Sequence, residues 1–196
     1  YYERALGISR EIGDRGGEGT NLGNLGIAHL SLGRVEEAID YYERALGISR
    51  EIGDRRNEGS ILVYFGLLSM YQGEDEMALQ YIDRAKKIAV STGYAPLQAS
   101  SYMTSAIILW LMDRDSEARL ELEHGKSIAD SSGYRVLSIA CSAFLAILDA
   151  ADGTEEIALQ ALQDLQVEVQ TVDVPPAVIQ MLQTMLIAIA SGELPE

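Results

Sequence analysis

Apolar residues recur along most of the chain at spacings of three and four, the pattern of a helix with one buried stripe. One stretch carries Ala38, Tyr42, Ala45 and Ile48; another carries Ala78, Ile82, Ala85 and Ile88. Acidic pairs such as Glu36-Glu37 and Glu155-Glu156 open these stretches, where the positive end of the helix macrodipole favours carboxylates. Glycines at 33, 73 and 153 suit the left-handed position that ends one set of helices, and Gly13, Gly53, Gly93 and Gly133 end the other. The pattern predicts first helices over 18–32, 58–72, 97–112 and 136–151, and second helices over 35–52, 75–91, 116–131 and 155–169. Pro175 and Pro176 fit the first turn of a last helix over 177–190, where a missing N–H costs little. No stretch alternates convincingly as a strand, so the predicted fold is all-α.

These helices belong to a repeat. The segment YYERALGISREIGDR at 1–15 returns letter for letter at 41–55, an offset of 40 residues. The same offset aligns Ile8, Ile48, Ile88 and Ile128, the alanines 38, 78, 118 and 158, and the small residues Gly26, Gly66, Ala106 and Ala146. The 196 residues then divide into a leading 1–15, which is the tail of a preceding repeat, units at 16–55, 56–95, 96–135 and 136–175, and a capping helix in 176–196. The expectation is a single array. Gly26 and Gly66 are expected to face Ala38 and Ala78 within a unit, and Tyr42, Ile82, Leu122 and Leu162 to fill the gaps between units. A lone hairpin of this kind cannot bury its apolar face, and stacking supplies the missing surface.

The residues that carry the repeat resemble the tetratricopeptide repeat. They are Leu22, Leu25-Gly26, Gly33, Ala38, Tyr42 and Ala45 in one unit, and Leu62, Phe65-Gly66, Gly73, Ala78, Ile82 and Ala85 in the next. The family's usual tryptophan and its proline after the second helix are absent. Spacing and the run from Glu18 to Gly26 resemble the 40-residue "Leu-Gly-Asn" variant. The resemblance spans the chain and weakens in the last two units, where Gly125 and Leu165 replace the second-helix alanine. It implies an α-solenoid of antiparallel helix pairs, a right-handed superhelix with a C-terminal capping helix. Its first helices would line a concave groove that takes a peptide or a partner helix. Fold does not name a ligand, so the lining must be read directly.

The resemblance places the groove at Asn24 and Ile27 in the first unit and at Tyr64, Leu67 and Tyr71 in the second. Met103, Ile107 and Trp110 follow in the third and Ile147 in the fourth. None is Lys or Arg, so the cationic clamp with which chaperone-tail binders hold a carboxylate is missing. Asn24 matches an asparagine that bonds a peptide backbone, but Tyr64, Thr104 and Phe144 do not continue it. The rest is apolar and aromatic, with Tyr64 and Trp110 expected to be exposed; such a stripe is either a docking surface or simply core.

Composition narrows the partners. Thirty acidic residues against 15 basic ones leave a net charge of −15, which excludes general nucleic-acid binding and docking on anionic lipid. Nine acidic residues and no basic one follow Arg135, either to steer a basic partner or to keep a solvated face. No apolar run reaches the length of a membrane span. There is no signal-peptide pattern, and a cytoplasmic protein is expected. The chain opens inside the repeated motif without a Met, as a segment of a longer protein would. The last predicted helix carries Val178, Ile179, Met181, Leu182, Met185, Leu186 and Ile189, too many for one face. It meets either a following segment or a second copy in a homodimer.

Chemistry-bearing residues are few, and no catalytic residue, cofactor or metal is expected. Cys141 excludes an intrachain disulfide, and with His29 and His124 it makes too small a donor set for a structural zinc. Gly125-Lys126-Ser127 resembles the end of a phosphate loop, but Leu120 stands where the first glycine is needed. Gly16-Gly17-Glu18-Gly19 reads as an inter-repeat turn. His29 sits at an aromatic packing position, and His124 is expected to be exposed beside Glu121 and Glu123. The leading expectation is a protein-interaction module; the alternative is a sensor or regulatory segment of a larger bacterial signalling protein.

Overall fold

The computed structural model describes residues 1–151 and 155–168. The predicted capping helix, its candidate homodimer contact, Gly153 and the end of the acidic tail lie outside the described residues. Among the described residues, every regular element is an α-helix: α1 (Tyr2–Glu11), α2 (Arg15–Ser31), α3 (Val35–Ile52), α4 (Arg55–Tyr71), α5 (Asp75–Thr92), α6 (Ala95–Leu111), α7 (Asp115–Ser131), α8 (Arg135–Ala151) and α9 (Glu155–Glu168). The chain divides into two compact units, one over Tyr1–Leu97 and one from Gln98 on.

Helix ends follow the glycine punctuation. Gly13, Gly33, Gly53, Gly73, Gly93 and Gly133 all have φ between 62° and 75°. Asp113 holds the same place at φ 57°, the one non-glycine at positive φ among the described residues. After Gly13 and Gly53, an aspartate both ends one helix and opens the next. Asp14 and Asp54 donate their N–H to the carbonyls of Ser9 and Ser49, each at 2.8 Å. Their carboxylates accept the N–H of Gly17 at 2.9 Å and of Asn57 at 3.0 Å, supplying the N-caps of α2 and α4. Helices α2 and α4 therefore begin three residues earlier than the pattern predicts, at Arg15 and Arg55. Gly16, Gly17 and Gly19 lie inside α2 rather than in a turn, because Asp14 caps ahead of them.

In the first unit, α2 packs on α3, α4 on α5, and the two pairs stack through α3 and α4. The core joins Leu22, Leu25, Ala38, Tyr42, Ala45, Ile48 and Ile61. Gly26 faces Tyr42 rather than Ala38, since a Cβ on Gly26 would overlap the Tyr42 ring. A Cβ on Gly66 would likewise come within 2.6 Å of Ile82 Cδ1, and within 3.3 Å of the Ala78 carbonyl. The small residue thus admits a large side chain one turn beyond the alanine, and the two helices close on it. Tyr42, Ile82, Leu122 and Leu162 are all buried. Tyr42 also reaches the next pair, stacking on Tyr64 and meeting Phe65 edge-on at 5.9 Å.

Ion pairs mark the junctions of the first unit. The buried Glu18 carboxylate accepts from Arg10 Nε at 2.9 Å and from Arg15 Nη1. Forty residues on, Glu58 accepts from Arg50 Nε at 3.1 Å and from Arg55 Nη1. The following register positions, Val90, Ala95 and Gln98, carry no charge. In the second unit the polarity reverses: Asp130 accepts from Lys126 Nζ at 2.8 Å and from the Ser138 hydroxyl.

In the second unit α7 packs on α8 and α8 on α9. Gly125 lets α7 approach closely: a Cβ there would lie 3.2 Å from the Ala99 carbonyl and 3.4 Å from Cys141 Sγ. The Gly125-Lys126-Ser127 stretch lies in mid-helix, not in a loop after a strand.

Candidate partner-binding surface

Each first helix of the first unit presents a stripe at spacings of three and four. On α2 this stripe carries Asn24 and Ile27, both half-buried. On α4 it carries Tyr64, Leu67 and Tyr71. Tyr71 is 77% exposed, and Leu67 is half-buried. Tyr64 is not the free aromatic that its position predicts. Its ring lies parallel to Tyr42 with centroids 5.2 Å apart, and this burial raises the Tyr64 phenol above its ordinary range. The side chain is half-buried.

The second unit places Met103, Ile107 and Trp110 on α6, and Ile147 on α8. Met103, Ile107 and Trp110 are half-buried, and Ile147 is buried. Trp110 packs edge-on against Phe144, with centroids 6.5 Å apart and planes at 76°, so it too is half-covered rather than fully exposed. Ile147 is part of the core of this unit. The accessible aromatic surface is therefore smaller than the stripe suggests, and its most open member is Tyr71.

The other candidates have structural surroundings. Cys141 is buried and its thiol is pushed up to about 11 by desolvation. His29 lies 5.0 Å from the Tyr41 ring, an aromatic packing contact. His124 is exposed and stands 5.6 Å from the Tyr102 ring. A cleft of about 440 Å³ between α2 and α3 is lined by Arg15, Arg44, Glu18 and Glu51. Its guanidiniums are engaged, Arg15 by Glu18 and Glu51, and Arg44 by Asp40 at 2.9 Å. Among the described residues no cluster of three or more metal-ligating side chains forms, and no helix is long and apolar enough to cross a membrane. The Arg–Glu–Arg junctions went unread in the sequence, although Arg10, Arg15 and Glu18 returning as Arg50, Arg55 and Glu58 was the available signal.

A family model for the tetratricopeptide repeat matches residues 1–51. Over those residues the chain carries the tetratricopeptide repeat. No curated protein matches it by sequence. Among solved structures, the repeats are similar to BtubC (BKLC) from P. vanneervenii at 16% identity, covering 98% of this chain and 82% of that one with a TM-score of 0.77. They are also similar to nearly identical TPR-like repeats from Podosopora anserina, at 17% identity, 88% and 84% coverage and a TM-score of 0.64. A third similar structure is a signal transduction ATPase with numerous domains from Pyrococcus horikoshii, described as having a tetratricopeptide repeat sensor. There the identity is 21% and the TM-score 0.69, and this chain is covered in full but spans only 30% of that protein. At these identities the likeness establishes the repeat fold.

Proposed function

We propose that the chain is a non-catalytic protein-interaction module whose first-helix faces bind a peptide or a partner helix. The observation that carries this reading is the α4 face. Tyr71 stands largely in solvent in line with the half-buried Leu67 and Tyr64, an apolar-aromatic stripe without a basic residue. Tyr and Trp are favoured anchors, because each supplies a large contact area at little cost in side-chain entropy. In the second unit, Met103, Ile107 and Trp110 form the corresponding stripe on α6, and Ile147 is buried on α8. The net charge of −15 favours a neutral or basic partner over nucleic acid or anionic lipid. A cytoplasmic location, the 40-residue Leu-Gly-Asn form of the repeat, a single array and a homodimer through 177–190 belong to the same reading.

The test uses the full chain immobilised beside Tyr71→Ser and Trp110→Ala variants, with retained proteins quantified by mass spectrometry. Partners held by the wild type should fall about tenfold or more with Tyr71→Ser, whose side chain supports no core contact. Equal retention by all three chains would sink the reading. A second reading, a sensor segment within a larger signalling protein, is favoured by the full-length likeness to the repeat sensor of the Pyrococcus horikoshii ATPase. Sequencing the complete gene separates the two: an adjoining ATPase, kinase or DNA-binding domain favours the sensor.

A further inference from the structure

The cleft between α2 and α3 has a counterpart forty residues on, between α4 and α5, and the two differ in charge. Their register is the same. A Cβ on Gly19 would lie 3.2 Å from Ile48 Cγ2, and one on Gly59 would lie 3.0 Å from Ile88 Cγ2. Glu18 and Glu58 each bridge two arginines in the same way. In the lining of the first cleft, Arg15, Glu18 and Arg44 return as Arg55, Glu58 and Arg84. Gly47, however, becomes Lys87, and Glu51 becomes Ser91. Two carboxylates therefore balance two arginines in the first cleft, whereas one carboxylate faces three cations at the same positions of the second.

The first cleft shows what its arginine receives. Arg15 Nη1 donates to Glu18, while Nε, at 3.3 Å, and Nη2 donate to the two oxygens of Glu51. Arg55 keeps only the first of these contacts. Its Nη1 donates to Glu58, and among the described residues its Nε and Nη2 meet no acceptor. Ser91 is too short to replace Glu51, and its hydroxyl donates to the Ile88 carbonyl at 2.8 Å. The Arg55 side chain is correspondingly more open, 55% exposed against 42% for Arg15. Arg44 is held by Asp40, but Gln80 stands at that place in the second pair. Arg84 and Lys87 are both exposed, and neither has an ion pair among the described residues. Three changes of residue thus release or add positive charge around one guanidinium.

We infer that Arg55 Nε and Nη2 are a docking point for a carboxylate of an acidic partner polypeptide, with Lys87 and Arg84 receiving a neighbouring acidic side chain. Glu51 on Arg15 is the internal example of that contact. A planar carboxylate offers two oxygens to the two parallel N–H groups of the fork, which sets it apart from other anions. Arg55 is also the first residue of α4, where the macrodipole favours negative charge. The acidic groups in the adjoining turns are Glu58, shared with Arg50, and the exposed Asp83. The net charge of −15 opposes an acidic partner at long range, but it is screened beyond roughly 10 Å at 0.1 M salt, whereas the fork acts in contact. The site lies apart from the stripe of Tyr64, Leu67 and Tyr71, so either proposal can fail alone.

The probe is fluorescein-labelled hexaglutamate, titrated against the whole chain by anisotropy in about 0.1 M salt. Saturable binding is expected. Ser91→Glu, which restores the carboxylate of the first pair, should weaken it by about tenfold or more. That variant should not melt earlier, since the first pair folds with the same residue. Arg55→Lys keeps the charge but lacks the fork, and should weaken binding about fivefold. Conversely, Glu51→Ser with Gly47→Lys should free Arg15 and open a second site for the peptide. Gln72→Glu adds the same charge at the far end of α4 and should change the affinity less than about twofold. Absence of saturable binding would overturn the inference. So would a Ser91→Glu or Arg55→Lys chain that binds like the wild type, or a Gln72→Glu chain that loses as much as Ser91→Glu, because only a long-range field would then remain. Displacement of the peptide by an equal concentration of inorganic phosphate would assign the fork to phosphate and equally overturn it.

Discussion

The ring of Tyr42 lies parallel to that of Tyr64, at 5° between planes and 5.2 Å between centroids. The Tyr42 ring also occupies the space that a side chain on Gly26 would need. One buried tyrosine therefore ties α3 both to α2 within its repeat and to α4 in the next. It also separates the glycines of the first unit into those that packing requires and those that it does not.

Gly26→Ala should destabilise the chain by about 1–3 kcal/mol, the usual cost of overpacking, because the Tyr42 ring is held between Gly26 and Tyr64. Gly47→Ala, on α3 with nothing within 4 Å of the new Cβ, should instead stabilise by about 0.5–1 kcal/mol. Chemical denaturation of the two variants beside the wild type tests the opposite signs. Two shifts of the same sign would show that helix propensity, not the Tyr42 contact, governs both sites.

Asp113 keeps φ at 57° where Gly33 and Gly73 stand in the earlier units. A left-handed backbone costs a residue with a Cβ roughly 1–2 kcal/mol, less for Asp than for most. Asp113→Gly should therefore raise stability by about 0.5–1 kcal/mol, and Gly73→Ala should lower it by about 1 kcal/mol. Thermal melts of both variants read this directly.

Arg10 and then Arg15 hold the Glu18 carboxyl below its ordinary range, against the opposing effect of burial. A depressed folded-state value means that the contribution is complete above the unfolded value near 4.5 and is lost as pH falls through the folded value. Glu18→Gln should lower the melting temperature at pH 7 by about 2–6 °C. It should also flatten the fall in stability below about pH 4.5. Melts from pH 7 down to pH 3 check both; an unchanged acid limb in the Glu18→Gln variant would remove Glu18 from the account.

Cys141 should resist alkylation. Buried, with its thiol at about 11, it presents almost no thiolate at neutral pH. Iodoacetamide labelling at pH 7.5 should run at least about a hundredfold slower in buffer than in denaturant. Comparable rates would mean that α8 opens readily.

Helix order, the 40-residue period and the end of nearly every helix are legible in the amino-acid sequence, because they rest on local rules. Apolar spacing, αL glycines and the macrodipole's preference for leading acids act within a few residues of where they are read. The residues 35–52 predicted as a second helix are α3 to the residue. The starts of α2 and α4 were less legible, since Asp14 and Asp54 act as C-terminal stop and N-cap at once.

Exposure was a different matter. Tyr64 and Trp110 had the positions of groove aromatics and became half-covered, by Tyr42 and Phe144. Periodicity tells which side of a helix is apolar, but what lies against that side is set by residues tens of positions away. By itself the sequence determined the repeat, its helices and their punctuation, because hydrogen bonding and backbone sterics are local. Only the tertiary structure decided which apolar faces are core and which stand open, because burial depends on the neighbour that arrives.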